Sequence, residues 1–228
     1  MKRIQTVGLL WLMASMIFGI SGCANTKIYS INMDYDAQNA VVPAYLKPDH
    51  KALQSIIGLA EFSDTRKIDD PLVIGRVIEK NGEKVLVLPK YTKPTKAVAQ
   101  GVRQYLRRAG YNVSGVGSRW DLKEETMPQM TNSKILIGGA IEEMDITCRR
   151  DFPSNIYKTK IKLTLYIADM VHKKILHHAN VEATTSLEHI SFSEERLGEQ
   201  ASVALGDAIE KMFSKREVAQ KLREVLNP

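Results

Sequence analysis

An α+β fold, with a mostly antiparallel sheet and helices packed on one of its faces, is predicted by three features of this 228-residue chain. Three successive stretches in its second half carry the patterning of long strands, the middle one alternating cleanly between apolar and polar residues. Two amphipathic helical stretches flank them, one before and one after. Between two Val/Ile/Leu-rich runs sits Asn81-Gly82, a strong short-range hairpin signal. Helices gathered on one face of such a sheet define the class.

Each element follows from local pattern. Residues 55–62 read as a strand, broken by Ser63, Asp64 and Asp69-Asp70-Pro71. Residues 72–79 and 83–88 form a hairpin around Lys80-Asn81-Gly82, with a tight type I′ turn expected because Asn and Gly tolerate positive φ. Pro89 and Pro94 then stop sheet pairing. Over residues 95–109, Val98, Val102, Tyr105, Leu106 and Ala109 share a helix face, and Gly110 stands where a C-terminal cap belongs. Arg103, Arg107 and Arg108, the densest basic cluster, fall mostly off that face. Residues 111–116 return as a short strand, and 115–132 read as a loop holding Trp120 and Pro128.

The strand over residues 134–147 changes apolar phase between Ile137 and Met144, which places an expected bulge near Gly138-Gly139. In residues 157–170, Ile161, Leu163, Leu165 and Ile167 face one way, and Lys160, Lys162, Thr164 and Tyr166 the other. After a turn near Val171-His172-Lys173, residues 174–187 pair back to complete an antiparallel meander with one buried face. Leu197, Ala201, Ala204, Leu205, Ala208, Ile209 and Met212 mark the buried stripe of a helix over 193–213, with Ser191 and Glu194 as its capping box. A shorter helix over 215–226 follows. Because the first helix feeds a strand through Ala109-Gly110-Tyr111, part of the sheet is open to parallel pairing.

The chain opens with a separate signal. Lys2 and Arg3 form a basic start, Val7 to Ile20 is an apolar run too short for a comfortable membrane span, and Ser21 and Gly22 are small residues before Cys23. Ile20-Ser21-Gly22-Cys23 resembles the lipobox of bacterial lipoproteins. That resemblance implies a diacylglyceryl thioether on Cys23, cleavage between Gly22 and Cys23, and acylation of the new amino group. Two or three acyl chains hold a protein on a bilayer where one does not. Residue 24 is Ala rather than Asp, which by the enterobacterial sorting pattern implies the periplasmic face of the outer membrane. The expected organisation is therefore a signal peptide over residues 1–22, a lipidated start and tether over 23–50 with one short strand near 27–33, and a periplasmic α+β domain over 51–228.

Composition narrows the function classes. The apolar fraction of 44% and charged fraction of 25% are those of a globular protein. A net charge of +6, two charges of which lie in the signal segment, is modest for a nucleic-acid binder, and none is expected as partner. Beyond Cys23 the one other cysteine is Cys148, so no intramolecular disulfide framework forms, and Cys148 reads as a buried strand residue.

Catalytic and ligand motifs are sparse. There is no Gly-x-Ser-x-Gly elbow and no phosphate loop. His177 and His178 are strand neighbours that point to opposite faces and cannot chelate one ion together, so no metal and no cofactor is expected. The acidic pairs Asp69-Asp70, Glu124-Glu125, Glu142-Glu143 and Glu194-Glu195 suit turns, strand faces and helix starts. Asp64 and Arg66, in Phe62-Ser63-Asp64-Thr65-Arg66, are the candidate interaction residues: Asp64 can close an Asx-turn and pair with Arg66, or the loop can contact a ligand.

With these elements in place, the layout is similar to that of the YajG-type periplasmic lipoproteins. The likeness rests on the strand ending near Asp64-Thr65-Arg66, the helix closing on Arg108-Ala109-Gly110-Tyr111, the meander from Ile135 to Leu187 and the final helix. It transfers no catalytic residue. The function expected is a non-enzymatic, membrane-anchored envelope module that binds another envelope protein through a sheet edge or the helix-free sheet face. The alternatives are a carrier of a small or lipidic ligand, with Trp120 and Tyr111 lining an apolar pocket, or an auxiliary subunit of an envelope transport system. An enzyme is the third reading, and would need a cleft holding Asp64, Arg66 or a Glu pair.

Overall fold

The structure, a computed structural model, describes residues 27–128 and 133–226. The expected signal peptide, the cleavage point at Gly22 and the lipid site Cys23 therefore lie outside the described residues. The sheet strands are β1 (Ile28–Ile31), β2 (Ile56–Glu61), β3 (Ser63–Asp64), β4 (Gly75–Ile78), β5 (Lys84–Pro89), β6 (Asn112–Arg119), β7 (Ser133–Arg149), β8 (Asn155–Asp169) and β9 (Lys174–His189). The helices are α1 (Pro94–Ala109), α2 (Glu194–Phe213) and α3 (Arg216–Leu226). The fold is α+β, as expected.

β7 organises the sheet. One edge pairs antiparallel with β8, which pairs antiparallel with β9. The other edge is shared: its first half takes β2 and β3, and its second half takes β4, all in parallel. β6 adds to β2 in parallel, β5 joins β4 in an antiparallel hairpin, and β1 closes that side in parallel with β5. The two long registers of the meander supply most of the paired residues and make the sheet mostly antiparallel.

The main core lies between one sheet face and the helices. α1 rests on β2 and β6, α2 on β8 and β9, and α3 on β7 and β9. The stripe predicted for α1 is buried in full, and α1 ends on Gly110 in the left-handed region at φ 106°. A second, smaller cluster of Ala60, Trp120, Leu136 and Ala168 lies apart from it, with Leu122, Met127 and Tyr166 packed around it.

Four expectations change. The hairpin loop is Lys80-Asn81-Gly82 as expected, but its turn is not type I′: Gly82 alone takes positive φ, at 83°, while the Glu79 and Gly82 amides donate to the Glu83 and Glu79 carbonyls. A type I turn followed by a left-handed Gly suits strand twist as well as the I′ turn does. The bulge sits at Glu142, where the β7–β8 register slips between Ile141 and Glu143. That slip carries the buried set from Ile135, Ile137 and Ile141 to Met144, Ile146 and Cys148. Gly138 and Gly139 stay in register and serve clearance: a Cβ on Gly138 would lie 2.7 Å from the Trp120 ring, and one on Gly139 2.3 Å from the Phe62 ring. The cap of α2 is Ser193, whose hydroxyl accepts from the Arg196 amide, not Ser191.

The largest change concerns residues 27–50, expected as a tether with one short strand. The folded domain begins at β1, not near residue 51. Tyr29, Ile31, Met33, Tyr35 and Ala37 are buried in alternation, and Leu46 and Ala52 are fully buried further on. Burying these side chains contributes on the order of 1.5–3 kcal/mol for each large one, which outweighs the freedom of a tether. The outer edge of β1 is also covered, since the Ser30 amide donates to the Glu194 carboxylate of α2 over 2.7 Å.

Candidate interaction surface

The meander's period-two alternation puts its charged side chains on the sheet face that carries no helix. There they pair across strands. Lys160 of β8 lies 2.8 Å from Glu143 of β7 and 3.6 Å from Glu182 of β9. Lys162 lies 2.7 Å from Glu142, and Arg76 of β4 reaches Asp145 at 3.4 Å. Thr164 donates to Glu142, whose carboxyl is held low by hydrogen bonds from Lys162 and Thr164. Exposed pairs of this kind contribute little to stability, but they fix a pattern of opposite charges in place.

The Asp64–Arg66 motif builds the wall of a groove beside this ladder. The Arg66 guanidinium is almost fully enclosed. Its Nε and Nη2 donate to the two Asp64 oxygens over 2.9 and 2.7 Å. Nη1 donates to the Val73 carbonyl over 2.9 Å, and Nη2 also to the Pro71 carbonyl over 2.8 Å. Asp64 in turn accepts from the Arg66 amide over 3.2 Å, the expected Asx-turn. Burial would push the Asp64 carboxyl up, but hydrogen bonding to Arg66 and its charge outweigh that and hold it below its ordinary value. The guanidinium is committed to holding the loop of residues 65–74 against the sheet. The resulting groove has a volume of about 580 Å³ and is lined by Lys67, Ile68, Arg76, Glu143, Asp145 and Lys162 among others. Asp64 and Arg66 therefore shape this surface, and Arg66 keeps little donor capacity for a ligand.

Other residues singled out by sequence fall as follows. His177 and His178 point to opposite sides: His178 stacks on Tyr166, while burial lowers the His177 ring below its ordinary pKa. Among the described residues no group of three His, Cys, Asp or Glu side chains is placed to hold a metal ion. The four acidic pairs lie on separate elements and do not converge. Glu124 accepts from the Ile175 amide and Asp70 from the Leu72 amide, each a local structural contact. Trp120 and Tyr111 do not line a ligand pocket; both are core residues, 1% and 4% exposed. The Trp120 indole N–H donates to the Lys123 carbonyl over 2.8 Å, closing the loop around the small core.

Cys148 is fully buried and unpaired, and burial pushes its thiol up to about 11. It is expected to resist iodoacetamide in the native protein at neutral pH and to react fully in denaturant. Mass spectrometry of the alkylated chain checks this; comparable native and denatured rates would contradict the burial.

Sequence reasoning missed one ionic cluster. Glu79, at the end of β4, accepts from Lys27 and Tyr29 through Oε1, over 2.7 and 2.6 Å, and from Arg150 through Oε2 over 2.7 Å. Its partners lie 50 or more positions away, so no local spacing reveals them. Burial raises its carboxyl, but the Lys27 and Tyr29 hydrogen bonds and the Arg150 charge bring it below its ordinary value of 4.5. A carboxyl held low in the fold stabilises above its unfolded value, and that contribution is lost as pH falls through the folded one. Glu79→Gln is thus expected to cost about 1.5–3 kcal/mol at neutral pH, the range for hydrogen bonds to charged groups. The difference from wild type should vanish in acid, as urea midpoints measured across pH would show. A pH-independent difference would remove the ionic cause.

No family model and no curated protein sequence matches the chain. Its fold, however, has solved relatives. A protein of Xanthomonas campestris from the domain-of-unknown-function family DUF330 aligns over 87% of this chain and 98% of its own, with TM-score 0.53 and 12% identity. A Helicobacter pylori protein described as a homolog of a neuraminyllactose-binding hemagglutinin aligns over 81% and 97%, with TM-score 0.46 and 11% identity. Lipoprotein GNA1162 of Neisseria meningitidis aligns over 67% and 96%, with TM-score 0.38 and 10% identity. At 12% identity the likeness to the Xanthomonas protein is one of fold alone.

Proposed function

We propose that this chain is a lipid-anchored protein of the bacterial envelope that works as a non-enzymatic interaction or assembly module. Its anchor is the lipid on Cys23, and Ala24 favours the periplasmic face of the outer membrane. No helix among the described residues is long and apolar enough to cross a membrane. The YajG-type layout read from the sequence is consistent with this address.

The observation that carries the reading is the buried Arg66 staple. Four donor contacts of one enclosed guanidinium hold a surface loop over a charged, helix-free sheet face, with Ile68 exposed at its rim. Holding a loop this way keeps a binding surface preorganised, and fixed rows of opposite charge select a partner's register. The partner expected is an envelope protein, including a subunit of a transport or secretion assembly.

The test is affinity capture of the lipidated protein from gently solubilised membranes. A partner recovered in near-equal amount should be lost with Ile68→Asp, and also with Cys23→Ala, which removes the anchor. A partner retained by Ile68→Asp would move the binding surface elsewhere. Recovery of the protein alone, with lipid co-purifying, would favour the carrier reading.

A further inference from the structure

We infer that the end of the sheet next to Lys27 lies flat on an anionic phospholipid bilayer, with Phe152 and Ile190 inserted between its headgroups. This rests on lipid attachment at Cys23 and adds the contact surface and orientation.

The reach of the chain comes first. Lys27 follows Cys23 by four positions, so their Cα atoms can be at most about 14 Å apart. Lys27 is itself fixed to the domain through Glu79, and β1 starts at the next residue. A domain tied this closely cannot swing free of the bilayer; the face around Lys27 must meet it.

The register defines that face. Ile78 pairs with Lys84 and with Arg149, Arg149 with Ile156, and Ile156 with Glu188, which forms a row across five neighbouring strands, β5, β4, β7, β8 and β9. Glu79, Arg150 and Lys27 lie just beyond it. Two loop tips project there. Phe152, in the β7–β8 loop, is 86% exposed, and Ile190, in the β9–α2 connection, is 83% exposed. They are the two most exposed large apolar side chains among those described. Asn155 ties the loops together by donating to the Ile190 carbonyl over 2.8 Å. Two large apolar side chains exposed at neighbouring tips favour the acyl boundary of a bilayer.

Charge agrees. On the helix-free face of this end lies a groove of about 440 Å³, lined by Arg76, Lys84, Arg149 and Lys158 over Ile78 and Ile156; Asp145 and Asp151 pair with Arg76 and Arg149 at 3.4 and 3.3 Å from outside the lining, while Lys84 and Lys158 add basic charge. Basic side chains beside inserted apolar ones match phosphate headgroups above acyl chains. The opposite end of the meander carries Val171, which is 70% exposed in the β8–β9 turn and points the other way along the strands.

The experiment uses the mature lipidated protein in vesicles of phosphatidylethanolamine and phosphatidylglycerol, with phospholipids brominated in their acyl chains. Phe152→Trp, Ile190→Trp and Val171→Trp are compared over the constant background of buried Trp120. Quenching several-fold stronger at positions 152 and 190 than at 171 is expected, together with blue-shifted emission. Equal quenching at all three, in protein that floats with the vesicles, overturns the docking and leaves the anchor intact. A protein that does not float at all overturns both. Undiminished quenching in pure phosphatidylcholine vesicles overturns the anionic assignment.

Discussion

Replacing Arg66 with alanine is expected to be among the most damaging single changes to the described domain. The substitution removes a guanidinium that is 2% exposed and leaves the Asp64 carboxylate, itself 20% exposed, without its cation. It also strands the Pro71 and Val73 carbonyls, which accept from Arg66. Breaking an enclosed ion pair from one side costs about 3–5 kcal/mol, because the remaining charge stays desolvated. For a chain of this size that corresponds to a fall in melting temperature of roughly 6–20 °C, at about 2–4 °C per kcal/mol. Arg66→Lys should recover only part of the loss, since an ammonium cannot span both Asp64 oxygens and two carbonyls in one plane. The double variant Asp64→Asn, Arg66→Met is expected to be less unstable than Arg66→Ala, because no charge is left behind. Thermal unfolding of the four proteins checks this order. If Arg66→Ala unfolded within about 1 °C of wild type, a shift well below the expected few kcal/mol, the staple would have no structural weight.

The pair itself was readable from sequence, because Asp64 and Arg66 are two residues apart at a strand end. Its further partners were not: Pro71 and Val73 become acceptors only once the loop folds back over the sheet. The same contrast runs through the fold. The meander was legible because β8 is buried on one face and pairs on both edges, so its alternation is enforced at almost every step. The bulge was legible as a need but not as a place. A phase change between Ile137 and Met144 requires one extra residue, and any position between them satisfies the pattern. The structure uses Glu142, which takes Lys162 and Thr164 as partners on the helix-free face.

Within residues 27–50, read as tether with one short strand, the sequence held a further signal. Tyr29, Ile31, Met33, Tyr35 and Ala37 alternate with Ser30, Asn32, Asp34 and Asp36, the period of an extended chain buried on one side. What hid it was the scarcity of β-branched residues and the three aspartates and asparagines, which read as linker. The consequence reaches function. On the proposed lipid attachment at Cys23, a long tether would leave the domain free to move, whereas one ending at Ile28 would hold a defined face toward the lipid. From Leu136 to Arg149, β7 spans about 40 Å, which on the proposed attachment separates the Trp120 cluster from the end beside Lys27.

Gly139→Ala is the second change expected to have a large effect, and it separates backbone crowding from side-chain crowding. An added methyl would lie 2.2 Å from the Thr164 carbonyl oxygen of β8 and 2.3 Å from Cε1 of Phe62. Neither distance is tolerable, and neither neighbour is free to leave. Thr164 is held in the long β7–β8 register, and Phe62 is 1% exposed in the main core. Overpacking one site costs about 1–3 kcal/mol, occasionally more, and two simultaneous clashes put this one at or above the upper end. Adding Phe62→Leu should recover the ring's share only, because the Thr164 carbonyl still blocks the methyl; a double-mutant cycle measures that share. The control is Gly115→Ala in β6, where an added Cβ meets nothing within 4 Å. There the change is expected to be neutral or stabilising by up to about 1 kcal/mol, through the reduced freedom of the unfolded chain. Equal melting temperatures for the Gly139 and Gly115 variants would mean that β7 can draw away from β8 at little cost. The bulge at Glu142 would then be a point of give in the sheet rather than a fixed step in its register.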